Sequence, residues 1–230
     1  MALPARLSLP EEFVVLAHHG NGTVHDASQV VAGCAAAELA ELAVRRRLLV
    51  RIRKSKKFGF DVYFPSDAAI RLLDASRTGL GWADALLAEL AQGSAAEGGS
   101  VRLRRWVRRR GRAALALHRF ALVERGLLRH EPGKGLAGIF CGERHCPDPA
   151  ARGVLLAAVQ SAIGQDRYDE RMLLLCGLAQ SADLELEVRP TVRQRLDHGR
   201  GIGAVAAFPE ELRDTSVALD SAVPMSSKGG

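Results

Sequence analysis

Apolar side chains begin to recur at helical spacing close to the start of the chain. Ser8 precedes Pro10, Glu11 and Glu12, an order typical of a helix N-terminus in which Ser8 is the N-cap and the acids favour the helix dipole. The apolar residues 13–17 then predict a short, buried first helix.

An alanine-rich pattern and a hairpin pattern follow. Apolar residues repeat at helical spacing from about residue 26 to 46, which predicts an amphipathic helix. Residues 48–52 and 60–64 flank a basic, glycine-containing turn at 54–59 and predict the two strands of a β-hairpin. Further helices are predicted over residues 67–92, with a break at Thr78 and Gly79, and over residues 113–125, 150–163 and 168–182.

The order of helix, basic corner and hairpin occurs twice. Residues 42–49 align without a gap with residues 121–128, and a turn at 132–135 and an apolar strand at 136–140 follow the second copy. We therefore predict a mainly α fold: a single helical domain over residues 1–221 with short β-hairpins, built on two helix-plus-hairpin, winged-helix-like units. Residues 222–230 are predicted to be a flexible tail.

The charge of the chain is concentrated in two segments. Residues 45–57 carry eight basic side chains and no acidic one, and residues 101–130 carry ten arginines and a single acid, Glu124. Because the whole chain has a formal charge of only +6, the remainder is net acidic. This asymmetry indicates a basic face that meets an anionic partner.

The densest basic segment is residues 101–112, with seven arginines and one tryptophan. Guanidinium groups bind phosphate oxygens bidentately, and a tryptophan can anchor at a membrane interface or stack on a base. The candidate lipid-phosphate-binding residues are Arg105, Trp106, Arg108, Arg109 and Arg112.

The motifs leave other classes of function open. A helix with a basic β-wing is also the pattern of winged-helix DNA-binding proteins, although Glu38 and Glu41 on the first candidate recognition helix would repel phosphates. His25, Asp26 and Cys34 could form a small-metabolite or catalytic pocket. No catalytic motif is present, so enzymatic activity has no support, and neither a metal site nor a cofactor is predicted.

The compartment is inferred from the cysteines and from hydropathy. Four cysteines are too few and too scattered for a disulfide-stapled secreted fold, and no run of 18 apolar residues predicts a membrane span. We therefore expect a cytoplasmic protein whose membrane contact is peripheral.

Six fragments, in order and at similar spacing, resemble the Golgi phosphoprotein 3 family, in particular its divergent bacterial, actinobacterial-type members. The fragments are LSLPEE (residues 7–12), AELAVRRRL (40–48), SRTG (76–79), RWV (105–107), LVERGLL (122–128) and AVAAF (204–208). The resemblance implies a mostly helical peripheral membrane protein with an adaptor or trafficking-type role. Eukaryotic members bind phosphatidylinositol 4-phosphate and the tails of glycosyltransferases.

The resemblance also implies site residues and partners. Of the four family positions that hold the head group, Arg112 is kept, whereas Asp26 replaces the tryptophan, and Ala35 and Leu115 replace two arginines. An apolar hairpin implied to contact the membrane, or to support self-association, corresponds to Leu136, Ile139 and Phe140. The expected partner is an anionic phospholipid membrane, with protein tails as a second class and nucleic acid disfavoured.

Overall fold

Helices account for most of the structure. The computed structural model describes residues 6–24, 26–57, 60–96, 99–132, 143–184, 186, 190–191, 194, 197 and 203–225. The elements are α1 (Leu9–Ala17), α2 (Ala27–Val44), β1 (Leu48–Lys57), β2 (Phe60–Leu72), α3 (Gly81–Ala96), β3 (Val101–Arg102), α4 (Leu103–Glu124), β4 (Leu128–Glu131), β5 (Arg144–Pro147), α5 (Pro149–Gln165), α6 (Glu170–Ser181), a 3₁₀ turn (Gly203–Ala207) and α7 (Glu210–Ala222). The predicted mainly α class with small hairpins is confirmed.

The alanine-rich helix α2 is the centre of the fold. Its small side chains allow α1, α4, α6 and α7 to pack around it, and its residues are buried almost continuously from Gln29 to Ala43. By length and composition α2 could cross a membrane, but 78% of it is buried inside the protein. That burial is expected of a core helix, because an all-round apolar helix needs neighbours on every side.

The start of α1 agrees with the predicted cap. The carboxylate of Glu11 accepts a hydrogen bond of 2.7 Å from the backbone N–H of Ser8, so the predicted capping residue of α1 is confirmed. Asp148 caps α5 by accepting from the N–H of Ala151 at 2.8 Å. The predicted helices over residues 150–163 and 168–182 correspond to α5 and α6.

Two antiparallel sheets flank the helices. β1 pairs with β2 from Leu48 opposite Leu72 to Lys57 opposite Phe60, with a bulge between Arg51 and Arg53, and β3 extends this sheet beside β2. β4 pairs with β5 in the second sheet. The first hairpin is therefore confirmed, with longer strands than predicted, whereas the predicted strand at 136–140 lies outside the described residues.

The prediction of a helix over residues 67–92 is wrong in its first part. Residues 67–72 belong to β2, where Ala68 and Ile70 are buried on one face of the sheet, and α3 begins only at Gly81. A short stretch with apolar residues at alternate positions suits either element, and pairing with β1 decides in favour of the strand. The predicted break at Thr78 and Gly79 lies in the loop between β2 and α3.

The two helix-plus-hairpin units turn their corners in the same way. Arg46 and Gly126 have positive φ of 57° and 69°. After the first corner the N–H of Arg47 donates to the carbonyl of Leu42 at 2.9 Å, and after the second the N–H of Leu127 donates to the carbonyl of Leu122 at 2.9 Å. The repeat is therefore confirmed, but its register is 80 residues, one more than the sequence alignment gave. The second helix also begins ten residues earlier than predicted, at Leu103.

The predicted start of the C-terminal tail is too early. Val223 is 6% exposed, and the carbonyl of Pro224 accepts a hydrogen bond of 3.1 Å from the side chain of Gln29. The residues directly after α7 are thus packed against the start of α2. Residues 226–230 lie outside the part of the chain that the structure describes.

Candidate functional site

The arginine-rich segment forms the first half of α4 and presents most of its cations to solvent. Arg105, Arg109 and Arg112 are exposed and lie on one side of the helix because they are spaced by three or four residues. Arg104 and Arg108 lie beside them and are also exposed. The sequence segment therefore becomes a continuous cationic surface, the arginine face.

Trp106 does not belong to the arginine face, which corrects the prediction that it meets a head group. Its side chain is only 1% exposed and packs in the core together with Leu103 and Val107. One residue of helix rotates by about 100°, so the neighbour of exposed Arg105 points toward the protein interior. Trp106 is a core residue that anchors α4 to the domain.

Internal ion pairs divide the arginines of α4 into two groups. Arg110 forms a bidentate pair with buried Glu38, with two bonds of 2.9 Å, and Arg109 pairs with exposed Glu89 at 2.8 Å. Within the described part of the chain, Arg105, Arg108 and Arg112 have no ion pair. Their charge is available for an external anion.

The pair between Arg110 and Glu38 is structural. Glu38 is fully buried on α2 and also lies 3.1 Å from Nε2 of His118. Burial alone would raise the pKa of Glu38, but the hydrogen bonds from Arg110 and His118 outweigh it and hold this pKa below its ordinary value. Glu38 therefore does not face an approaching phosphate, as the sequence suggested, but joins α2 to α4.

A cavity of about 1330 Å³ lies along the arginine face. Its walls are α4, the start of α2 and the segment from Asp220 to Met225. Arg104, Arg108 and Arg112 contribute cations, and Val31 and Val107 contribute apolar surface. We call this cavity the α4 groove; it combines cations with an apolar lining, as a bound amphiphile requires.

Asp26 does not offer a catalytic carboxylate to the α4 groove. It caps α2 by accepting hydrogen bonds from the N–H groups of Ser28 at 2.8 Å and Gln29 at 3.2 Å, and from the Ser28 hydroxyl at 2.6 Å. An internal carboxylate thus occupies the helix N-terminus, where an external anion could otherwise bind. The position that the resemblance assigns to a head-group tryptophan is a capping residue here.

Asp220 is an acidic residue in the lining of the α4 groove, and its state differs from that of Asp26. Its Oδ1 is buried and forms no hydrogen bond with a described residue. Burial raises the pKa of Asp220 to about 8, so the carboxyl group is mostly protonated near pH 7. It therefore adds no full negative charge to the cavity that Arg108 and Arg112 line.

Three further candidates, Ala35, Leu115 and Cys34, lie away from the groove. Ala35 is fully buried and Leu115 is 6% exposed, so neither substituted arginine position reaches a ligand. Cys34 is also fully buried, and burial raises the pKa of its thiol well above the ordinary value, which contradicts its place in a metabolite pocket. His25, Leu136, Ile139 and Phe140 lie outside the described residues.

The first candidate recognition helix lacks the exposure that DNA binding requires. A recognition helix must enter a groove of DNA, whereas residues 33–43 of α2 are buried in the core. Among the residues that the structure describes, no group of three His, Cys, Asp or Glu side chains could hold a metal ion.

The sequence did not point to several residues of the α4 groove. Arg104 belongs to the basic segment 101–112 that the sequence singled out, and it precedes Arg108 by four residues, the helical spacing that places both in the groove. Ser28, Asp220 and Met225 gave no comparable signal, because the groove arises where the chain's C-terminal segment returns to α2 and α4.

Comparison with known proteins gives one result. A protein-family model described as Golgi phosphoprotein 3 (GPP34) matches residues 9–219. This range covers α1 to α6 and most of α7. A search of curated proteins finds no match to this sequence.

Proposed function

The chain belongs to the Golgi phosphoprotein 3 family, and on that premise we propose that it is a peripheral membrane protein that binds anionic lipid head groups through the arginine face of α4. The observation that carries the proposal is the set of exposed arginines that form no ion pair with the described residues, Arg105, Arg108 and Arg112. Basic side chains near an anionic membrane surface contribute up to about 1 kcal/mol each.

The α4 groove supports a head-group site beside this surface. Arg108 and Arg112 line it together with apolar side chains, and the protonated Asp220 does not repel a phosphate. We infer that phosphate oxygens bind the two guanidinium groups while the glycerol and first acyl carbons contact Val31 and Val107.

The proposed selectivity is for negative charge and not for one inositol phosphate. Only Arg112 remains of the four positions that the family resemblance assigns to the head group. Asp26, Ala35 and Leu115 offer no contact that would read the pattern of phosphates on an inositol ring. An adaptor role, in which the membrane-bound domain holds a protein tail, is the family-based part of the proposal.

Co-sedimentation with liposomes tests the proposal. We expect the chain to bind vesicles that contain about one third phosphatidylserine and to remain in solution with pure phosphatidylcholine. Arg108→Glu/Arg112→Glu should lower the affinity by at least about tenfold, since it replaces two attractive charges by repulsive ones. Binding to neutral vesicles, or unchanged binding by the double variant, would contradict the proposal.

A charge-matched control separates this site from the overall charge of the protein. Arg71→Glu/Arg167→Glu changes the net charge by the same amount at two exposed positions outside α4. We expect it to weaken binding by less than about threefold, because screening limits the reach of distant surface charges to about 10 Å.

A further inference from the structure

The exposed face of α4 does not end with its arginines. Beyond Arg112 it continues with apolar side chains, of which Phe120 is 66% exposed and Leu117 is 38% exposed. Phe120 and Leu117 are three residues apart on the helix, so together they form a small apolar surface directly beyond the arginines.

The apolar and cationic residues form one straight stripe. Arg105, Arg109, Arg112, Ala116 and Phe120 are separated by three or four residues, so all five project from the same side of α4. Phe120 is eight residues beyond Arg112, a distance of about 12 Å along a helix that rises 1.5 Å per residue. The stripe therefore offers cations at one end and an aromatic ring at the other.

We propose that this stripe lies flat on an anionic bilayer, with the arginines at the phosphates, with Phe120 inserted at the boundary of the acyl chains, and with Leu117 beside it at the flank of the stripe. This inference rests on the proposed function and deepens it by assigning an apolar anchor that belongs to α4 itself. Helices that bind in the plane of a membrane combine the same two components, basic residues and Phe or Leu.

The charge of the stripe favours a membrane over a protein partner. Residues 101–123 contain no Asp or Glu, so α4 offers no acid for a mixed-charge protein interface until Glu124. Arg109 does pair with Glu89, but both side chains are well exposed, and an exposed pair of this kind exchanges readily for a lipid phosphate. A continuous plane of phosphates over a hydrocarbon layer is complementary to the whole stripe.

Fluorescence of Phe120→Trp tests the insertion directly. On vesicles that contain phosphatidylserine, we expect the emission of this tryptophan to shift to shorter wavelength and to be quenched by lipids brominated on their acyl chains. The chain already contains Trp106, which is buried in the core, and Trp82, which is partly buried, so their combined emission is the background, measured with the unsubstituted chain. Phe120→Ser should weaken vesicle binding by about tenfold, the expected loss for one buried aromatic ring.

Leu73→Trp is the matched control. Leu73 is an apolar side chain, 44% exposed, in the loop after β2 and outside α4. A tryptophan at this position should show neither the shift nor the quenching under the same conditions.

The outcomes distinguish this inference from the proposed function. If Phe120→Trp binds anionic vesicles without quenching, the stripe is not inserted, although the head-group proposal stands. If the unsubstituted chain does not bind these vesicles, the proposed function itself fails. If Phe120→Ser instead abolishes a dimer seen by analytical ultracentrifugation and leaves vesicle binding unchanged, the apolar end is a contact between copies of the chain and the inference is wrong.

Discussion

Rotation by one residue decides the role of each side chain in the first half of α4. Arg105 and Arg109 face solvent, whereas Trp106 and Arg110 turn toward the core and toward Glu38. Composition alone could predict that the segment binds an anion. It could not show which cations are neutralised internally, because Glu38 lies 72 residues away from Arg110 in the sequence.

Among single residues, Asp220 gives the clearest pH dependence of folding stability. Its folded pKa of about 8 lies above the ordinary value of 3.8, so the folded state holds a proton that the unfolded chain releases between these values. The contribution of the protonated form to stability is complete below about pH 4 and is lost as the pH rises through 8. Asp220→Asn, which cannot ionise, should therefore become more stable than the unsubstituted chain as the pH rises.

Urea unfolding at pH 5, 7 and 9 measures the effect of Asp220→Asn. The difference in free energy of unfolding should grow in favour of the variant, by at most about 1.4 kcal/mol for each pH unit within the titration range. Asp67→Asn, at an exposed carboxylate, makes the same change of formal charge and should show no such trend. A constant difference for Asp220→Asn at all three pH values would mean that this carboxyl group is already ionised in the folded protein.

At the scale of elements, the α4 groove depends on how closely α2 and α4 approach. A Cβ atom added at Gly111 would lie 2.8 Å from the carbonyl oxygen of Val31 and 2.5 Å from its Cγ1. Gly111 is therefore the point at which the two helices touch, and it lies between Arg108 and Arg112 of the groove. Because Gly111 has no side chain, α4 approaches α2 closely at this crossing, and Arg108 and Arg112 of α4 lie next to the start of α2.

Gly111→Ala should separate the helices at this crossing. We expect a loss of about 1 to 3 kcal/mol in the free energy of unfolding, because the methyl group meets backbone that cannot move independently. Gly153→Ala on α5 is the control: nothing lies within 4 Å of the added methyl, and alanine is the better helix former, so this variant should gain up to about 1 kcal/mol. Equal effects of the two substitutions in thermal unfolding would argue against a close contact at Gly111.

The elements differ in how well the sequence predicts them. Long segments with a clear helical period, such as α2 and α6, were predicted to within a few residues. The end of β2 was not, because residues 67–72 satisfy both periodicities and only pairing with β1 selects the strand. The groove was beyond sequence reasoning, because its lining at Asp220 and Met225 comes from a segment more than 100 residues beyond Arg112.

For the whole molecule, the arrangement of charge matters more than the net value of +6. The acids of α1 and α2 are used internally: Arg171 binds both Glu12 and Glu41, and Arg110 binds Glu38. The arginine face of α4 retains cations that have no such partner in the described part of the chain, so the two kinds of charge are separated within one domain. A protein with this asymmetry approaches an anionic surface in a preferred orientation.

The same asymmetry predicts how the protein distinguishes between lipids. With only Arg112 kept among the family's head-group positions, surface charge should decide the affinity. Vesicles with phosphatidylserine and vesicles with phosphatidylinositol 4-phosphate, matched in surface potential, should bind within about threefold of each other and weaken in parallel as salt increases.

Two single substitutions test whether charge alone sets the affinity for lipid. Arg105→Gln and Arg112→Gln each remove one charge from the arginine face, but of these two arginines only Arg112 lines the α4 groove. If charge alone decides, both variants lose similar affinity for both lipids. A preference above about tenfold for phosphatidylinositol 4-phosphate would contradict this prediction if it disappears in Arg112→Gln and survives in Arg105→Gln. That outcome would show that the groove binds the phosphorylated ring specifically, despite the capping carboxylate at Asp26.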